Sequence, residues 1–226
     1  SELARIEGVD MAAEPFFEQT VLFPKEEHSW YRIPSIVVSK NAVVLAFCDR
    51  RIGSVSDYGH ETQNVLRRSL DGGETWEPIR AIASEKKADL HGGPAVVDQI
   101  TGRIFKFYQR IPASVKAAKW DVEHPEEMLK LGCASYVIQS GDDGETWSRP
   151  RKVPLSHPAA ASRMSVGNGV HGVQLGDGRL LIQGGYYAKP IFDRKKYNRA
   201  CLIYSDDHGE TWKVGGTYEK PGLQRE

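Results

Sequence analysis

Cysteine is scarce in this chain. Its three cysteines, Cys48, Cys133 and Cys201, lie far apart with no paired spacing, so neither a disulfide framework nor a zinc site is indicated. Each is expected as a small buried residue within a strand. Net charge is absent as well: 30 basic residues balance 30 acidic ones, which leaves no global field to draw in nucleic acid or an anionic membrane. An anionic ligand must therefore be held by local groups. No apolar run approaches the roughly 18 residues that span a bilayer. The stretch from Ser1 to Glu14 lacks a basic region followed by an apolar core, so a secretion signal is absent or was removed before this numbering begins. What remains is 226 residues, 40% hydrophobic and 27% charged, an ordinary globular composition able to bury a core.

Against these absences stands a repeat. The segments Ser69-Leu-Asp71-Gly-Gly73-Glu-Thr75-Trp76, Ser140-Gly-Asp142-Asp-Gly144-Glu-Thr146-Trp147 and Ser205-Asp-Asp207-His-Gly209-Glu-Thr211-Trp212 share one pattern, and their starts are 71 and 65 residues apart. Each reads as a hairpin turn with an anchor. The aspartate accepts hydrogen bonds from its own turn, the glycine supplies positive φ, and the tryptophan closes over apolar neighbours. Strand-like runs flank every box, and two more precede it: Ile33 to Val38 and Val43 to Cys48, then Pro94 to Val97 and Ile104 to Tyr108, then Gly172 to Leu175 and Arg179 to Gln183. Four antiparallel strands, three times over, predict an all-β chain built of β-propeller blades. Their expected bounds are 31–84, 92–154 and 171–219 within one domain over 1–226, with 16–24 as a probable closing strand. Between Ile111 and Gly132 the pattern breaks. Lys116 to Trp120 and Pro125 to Leu131 look helical, and the insertion reads either as a solvated excursion or as a lid over a site.

Three boxes in blades, headed by Trp30-Tyr31-Arg32-Ile33-Pro34, resemble the sialidase (neuraminidase) family across nearly the whole chain. The box aspartates are structural; the Arg-Ile-Pro motif and its distance to the first box carry the functional case. The resemblance implies an exo-α-sialidase acting on sialylated glycoconjugates, with retention at the anomeric carbon and neither metal nor other cofactor. A sialic acid carries its carboxylate beside the bond to be broken, and an arginine can grip that anion through two parallel hydrogen bonds. Arg32 matches the first of the three arginines the family uses for this. Asp57, which lies 25 residues further on, matches the family's general acid, whose task is to protonate the departing oxygen and then deprotonate water. Arg51, in Cys48-Asp49-Arg50-Arg51, resembles an arginine that faces the ligand, with Arg50 turned away because strand residues alternate faces. Tyr187 aligns with a family tyrosine lining the pocket, better than Tyr186 does. His91, in Leu90-His91-Gly92-Gly93-Pro94, stands where many members place an Asp or Asn against the sugar.

The resemblance also implies what lies elsewhere. The family's nucleophilic tyrosine and two further arginines belong to later blades, and Glu226 falls where the family places the glutamate that activates that tyrosine. Three blades would leave open sheet edges. The remaining blades are therefore expected from a longer protein of roughly 350 residues or more, by the repeat spacing, or from a second chain. Two other readings stand beside this one: a non-catalytic carbohydrate-binding or receptor propeller, and a propeller glycosidase for another sugar. No nucleic-acid partner and no membrane span is expected.

Overall fold

A computed structural model describes residues 17–57, 59–114, 132–157, 160, 164–167, 169–187 and 198–218. Among the described residues there are thirteen strands and no helix. The first four are β1 (Ser29–Val38), β2 (Val44–Ile52), β3 (Glu61–Ser69) and β4 (Arg80–Ala83), paired antiparallel in chain order. The next four, β5 (Ala88–Val97), β6 (Ile104–Pro112), β7 (Ala134–Ser140) and β8 (Arg151–Lys152), repeat that order. The last group is β9 (Ser165–Val166), β10 (Val173–Gln174), β11 (Leu180–Tyr187), β12 (Asn198–Ser205) and β13 (Lys213–Tyr218), in which β9 and β10 both pair with β11. This is the meander of propeller blades, with a single parallel pair, Thr62 with Asp89, linking the first group to the second.

The blades pack face to face, and β5 shows how. All ten of its residues are buried, because its two faces belong to two cores. Ala95 and Val97 join Leu45, Phe47, Leu66 and Ile104 between the first and second blades. Val96 joins Phe105, Phe107, Leu180, Ile182, Ile203 and Trp212 between the second and third. Each large apolar side chain so enclosed contributes on the order of 1.5–3 kcal/mol. The three cysteines are free and buried, as expected of small core residues.

The box turns are near copies of one another. In the first, the amide of Gly73 donates to Ser69 Oγ at 2.7 Å, the amide of Thr75 to Asp71 Oδ1 at 2.9 Å, and Trp76 Nε1 to the Gly73 carbonyl at 2.9 Å. The second and third boxes repeat these bonds through Ser140, Asp142, Gly144 and Trp147 and through Ser205, Asp207, Gly209 and Trp212. The three glycines hold φ of 108°, 78° and 85°. The second and third boxes also dock backwards onto the preceding blade. A methyl group on Gly144 would collide with Leu45, and one on Gly209 with the ring of Phe105; on Gly73 it would meet only Trp76, at 3.9 Å. Arg80 clasps the carbonyls of Gly144 and Glu145, and Arg151 clasps those of Gly209 and Glu210.

Two sequence expectations fall partly or wholly outside this description. The helical reading of 116–131 and residue 16 lie outside the described residues. Residues 17–24 carry no strand, since a strand requires a neighbour to pair with and the described residues supply none there.

Candidate functional site

The box serines give every blade the same register. Val44 pairs with Ser69, Ile104 with Ser140 and Leu180 with Ser205. Counting equal steps along the second strand of each blade from those pairs brings Arg51, Ile111 and Tyr187 to one equivalent position at the opposite end of the sheet. The same counting makes Arg32 (paired with Asp49), His91 (paired with Gln109) and Ser165 (paired with Gly185) equivalent on the innermost strands. The end of the blades away from the boxes therefore gathers the residues singled out above.

Arg32 is aimed by an irregularity. The β1–β2 register shifts between Arg32 and Ser35, and Ile33 sits at φ 57°, a left-handed conformation that a β-branched residue rarely adopts. Its strain is borne by packing across the molecule: a side chain on Gly169 would meet Ile33 Cγ2 at 2.8 Å, so the isoleucine fills the space that glycine leaves. The bulge is fixed further by Cys48 Sγ, which donates to the Arg32 carbonyl at 3.0 Å. The Arg32 side chain stays 52% exposed, open to a ligand.

Arg50 and Arg51 do face opposite ways. Arg50 pairs with Glu26 on one face, while Arg51 is wholly enclosed on the other. Arg51 Nη1 donates to the carbonyls of Val55 and Ser56 at 2.8 and 3.1 Å, and its Nη2 lies 2.7 Å from Asp57 Oδ1. Arg32 Nη1 donates to that same oxygen at 3.3 Å. The Asp57 loop turns through Gly53 and Gly59, both in the left-handed region. Asp57, Arg32 and Arg51 thus form one cluster, with Asp57 half-exposed above a buried guanidinium.

Behind them lie His91, singled out from the sequence, and three buried ionisable groups that sequence reasoning missed, Asp89, Asp49 and Lys106. His91 is buried, with Nδ1 3.8 Å from Asp49 Oδ2 and 4.0 Å from Asp89 Oδ1. Burial, helped by the charge of Arg51, lowers its pKa to about 4, so the imidazole is neutral near neutrality. Burial raises Asp89 to about 7, against the opposing influence of the nearby Thr62 hydroxyl and the charge of Arg51. Asp49 and Lys106 form a second buried pair in which burial pushes the carboxyl up and the ammonium down. Asp49 accepts the Gly92 amide at 2.8 Å, and a side chain on Gly92 would stand 2.6 Å from its carboxylate, so glycine is required there. Lys106 Nζ donates to the Gly93 carbonyl. One signal was available: Asp89 and His91 are two apart, as are Asp49 and Arg51, and such pairs share a strand face.

Tyr187 closes β11, paired with Asn198, while neighbouring Tyr186 is buried against the His157 ring at 4.9 Å. Glu226 lies outside the described residues. Among the described residues no group of three or more His, Cys, Asp or Glu could hold a metal, and no helix is long and apolar enough to cross a membrane. The cluster offers an exposed cation for an anion, a carboxyl beside it, and an enclosed wall that holds the Arg51 guanidinium and the neutral His91 imidazole.

A model of the BNR repeat-like domain family matches residues 38–224. Sialidase-4 of Homo sapiens is 30% identical over 215 residues, covering 88% of this chain and 42% of that protein. A sialidase of Bacteroides fragilis is 26% identical over 192 residues, covering 81% of this chain and 34% of its own length. Among solved structures, the Hadza microbial sialidase Hz136 superposes with a TM-score of 0.70 at 24% identity, over 83% of this chain and 37% of that one. The chain spans less than half the length of each of these relatives.

Proposed function

Because this chain belongs to the sialidase family, with a BNR repeat-like domain across residues 38–224, we propose that it forms the first half of an exo-α-sialidase that releases terminal sialic acid from glycoconjugates. Its blades run over 31–84, 92–154 and 171–219 in this reading, and the remaining blades come from further sequence or from a second chain. The observation that supports it is the meeting of Arg32 and Asp57, 25 residues apart in sequence, at 3.3 Å on the open end of the blades.

The division of labour follows from the substrate. Arg32, exposed and permanently charged, takes the carboxylate of the sugar and so fixes the anomeric carbon beside Asp57. Asp57 then protonates the departing glycosidic oxygen and afterwards deprotonates the attacking water. A carboxylate nucleophile would be repelled by the substrate's own carboxylate, whereas a tyrosine activated by a glutamate is not, and the reaction retains configuration. That tyrosine comes from the other half of the propeller, with Glu226 as its activating base. His91 and Tyr187 line the sugar site from the second and third blades. The segment alone is a half-site and turns over no substrate.

The test is Asp57→Asn in the complete protein that carries this chain. Turnover on a natural sialoside should fall at least about a hundredfold, and by much less on an aryl sialoside, whose leaving group needs little protonation. Equal losses on the two substrates would remove Asp57 from the acid role. No hydrolysis of either by the unaltered protein would favour a carbohydrate-binding propeller instead.

A further inference from the structure

One pair of positions does the same thing at both blade junctions. Asp49 and Gln109 are equivalent on the second strands of the first two blades, paired on one side with Arg32 and His91 and on the other with Asn64 and Ser135. Asp49, Asn64, Gln109 and Ser135 are all buried, and each reaches past its own blade to the innermost strand of the next. At the first junction Asp49 accepts the Gly92 amide at 2.8 Å and Asn64 Nδ2 donates to the Leu90 carbonyl, so the backbone is tied on both sides of His91. The β5–β6 register shifts just beyond, between Gly92 and Ala95, where the ladder is interrupted and side chains stand in for it. At the second junction Gln109 Nε2 donates to the Val166 carbonyl at 3.0 Å and Ser135 Oγ accepts the Val166 amide at 3.3 Å, next to Ser165. Acceptors meet amides and donors meet carbonyls. The equivalent pair in the third blade is Gly185 with Ala200, which have no polar side chain to extend.

Packing alone does not ask for these groups, since apolar residues of similar size would fill the junctions without the cost of burying an amide or a carboxyl. What the polar groups add is a fixed spacing of backbones. Arg32 pairs with Asp49, Asp49 holds Gly92, His91 pairs with Gln109, and Gln109 holds Val166, so one line of bonds runs past the three equivalent rim positions Arg32, His91 and Ser165. We propose that Asp49 and Asn64 are positioning residues for His91, that Gln109 and Ser135 are positioning residues for Ser165, and that the two clamps together set the wall of the acidic-sugar site at its distance from Arg32. The proposal rests on the sialidase reading, and it adds Ser165 to the wall. A sugar held at its carboxylate by Arg32 meets that wall with its other substituents, so a shift of the wall is felt as affinity before it is felt at the bond to be broken.

The experiment uses the complete protein that carries this chain. Binding of a 2,3-unsaturated sialic acid analogue is measured by calorimetry, and KM and kcat on an aryl sialoside, for Asn64→Leu, His91→Ala and the double variant, with urea midpoints as the check on folding. Asn64→Leu keeps the size of the side chain but cannot donate to the Leu90 carbonyl. It should weaken the analogue and raise KM by about 5- to 10-fold, with kcat changed by less than about twofold. In the His91→Ala background the same change should alter affinity by less than about twofold, because the residue through which it acts is gone. Equal losses in the two backgrounds would make Asn64 a structural residue only and overturn the proposal, as would unchanged affinity in a folded Asn64→Leu. Asp49→Asn keeps an oxygen for the Gly92 amide and should keep most of the affinity that Asp49→Leu loses; equal losses in these two would overturn the clamp as the cause. Gln109→Met, with and without Ser165→Ala, repeats the cycle at the second junction and decides the question should Asn64→Leu not fold. If the unaltered protein neither binds the analogue nor splits the sialoside, the sialidase reading fails and the proposal with it; normal binding with additive losses overturns the proposal alone.

Discussion

The two ends of the same strands are built on opposite plans. At the box end, three turns carry the same serine, aspartate, glycine, threonine and tryptophan, making the same bonds to within a few tenths of an ångström. At the other end the register is just as regular, yet equivalent positions hold Arg32, His91 and Ser165, or Arg51, Ile111 and Tyr187. Residues repeat where every blade needs the same thing, and diverge where the blades together surround something asymmetric. The electrostatics differ in the same sense. Box aspartates are exposed and saturated with hydrogen bonds, an inexpensive arrangement. Arg51 is a charge withdrawn from water, and Asp49, Asp89 and Lys106 are ionisable groups whose charged forms burial penalises, which costs stability and is tolerated only where something else is gained.

The sharpest way to break the comparison is to make one box unlike another. Gly209→Ala drives a methyl group into Phe105 from a left-handed backbone and should destabilise the protein by about 2 to 4 kcal/mol, while Gly73→Ala, which meets almost nothing, should cost about 1 kcal/mol. Urea unfolding of both variants decides it, and equal costs would show that docking on the preceding blade is unimportant. A smaller effect probes the other end. Because burial raises Asp89 to about 7 from the ordinary carboxylate value, the folded state holds an extra proton below neutrality, and stability falls as pH rises from about 4 to about 7. Asp89→Asn should therefore gain on the unaltered protein by about 2 kcal/mol between about pH 5 and about pH 8, read from urea midpoints at each. The sign is reversed for a box aspartate. Asp142 is lowered to about 2, chiefly by the Thr146 hydroxyl, so its stabilisation is present above about pH 4 and lost as pH falls through about 2. Asp142→Asn should cost up to about 1 kcal/mol at neutral pH, given its exposure, with the gap closing in acid melts.

The same contrast explains what could be read from the chain. The boxes were legible because turn chemistry is local: Asp71, Gly73 and Trp76 find their partners within a few residues. The strand ends near the site were not. β2 continues through Asp49, Arg50 and Arg51, β3 begins at Glu61 and β5 at Ala88, all beyond the apolar runs that mark strands. Polar residues there are covered by the neighbouring blade, a fact about distant sequence. The Arg32–Asp57 association was drawn from resemblance rather than from spacing. The enclosure of Arg51 and the Asp49–Lys106 pair followed from packing alone, and neither was foreseen.

The backward docking of the boxes also gives assembly a direction in time. Gly144 rests on Leu45 and Gly209 on Phe105, and in both cases the receiving residue lies earlier in the chain. A ribosome delivers residues from the N-terminus at about 5 to 20 per second, slowly enough for completed segments to fold. Each newly emerged box therefore meets a receptor that already exists, and each finished blade serves as the template for the next. The last strands of a blade close against a surface made seconds before, which shortens the time that its apolar face stands exposed in the cell.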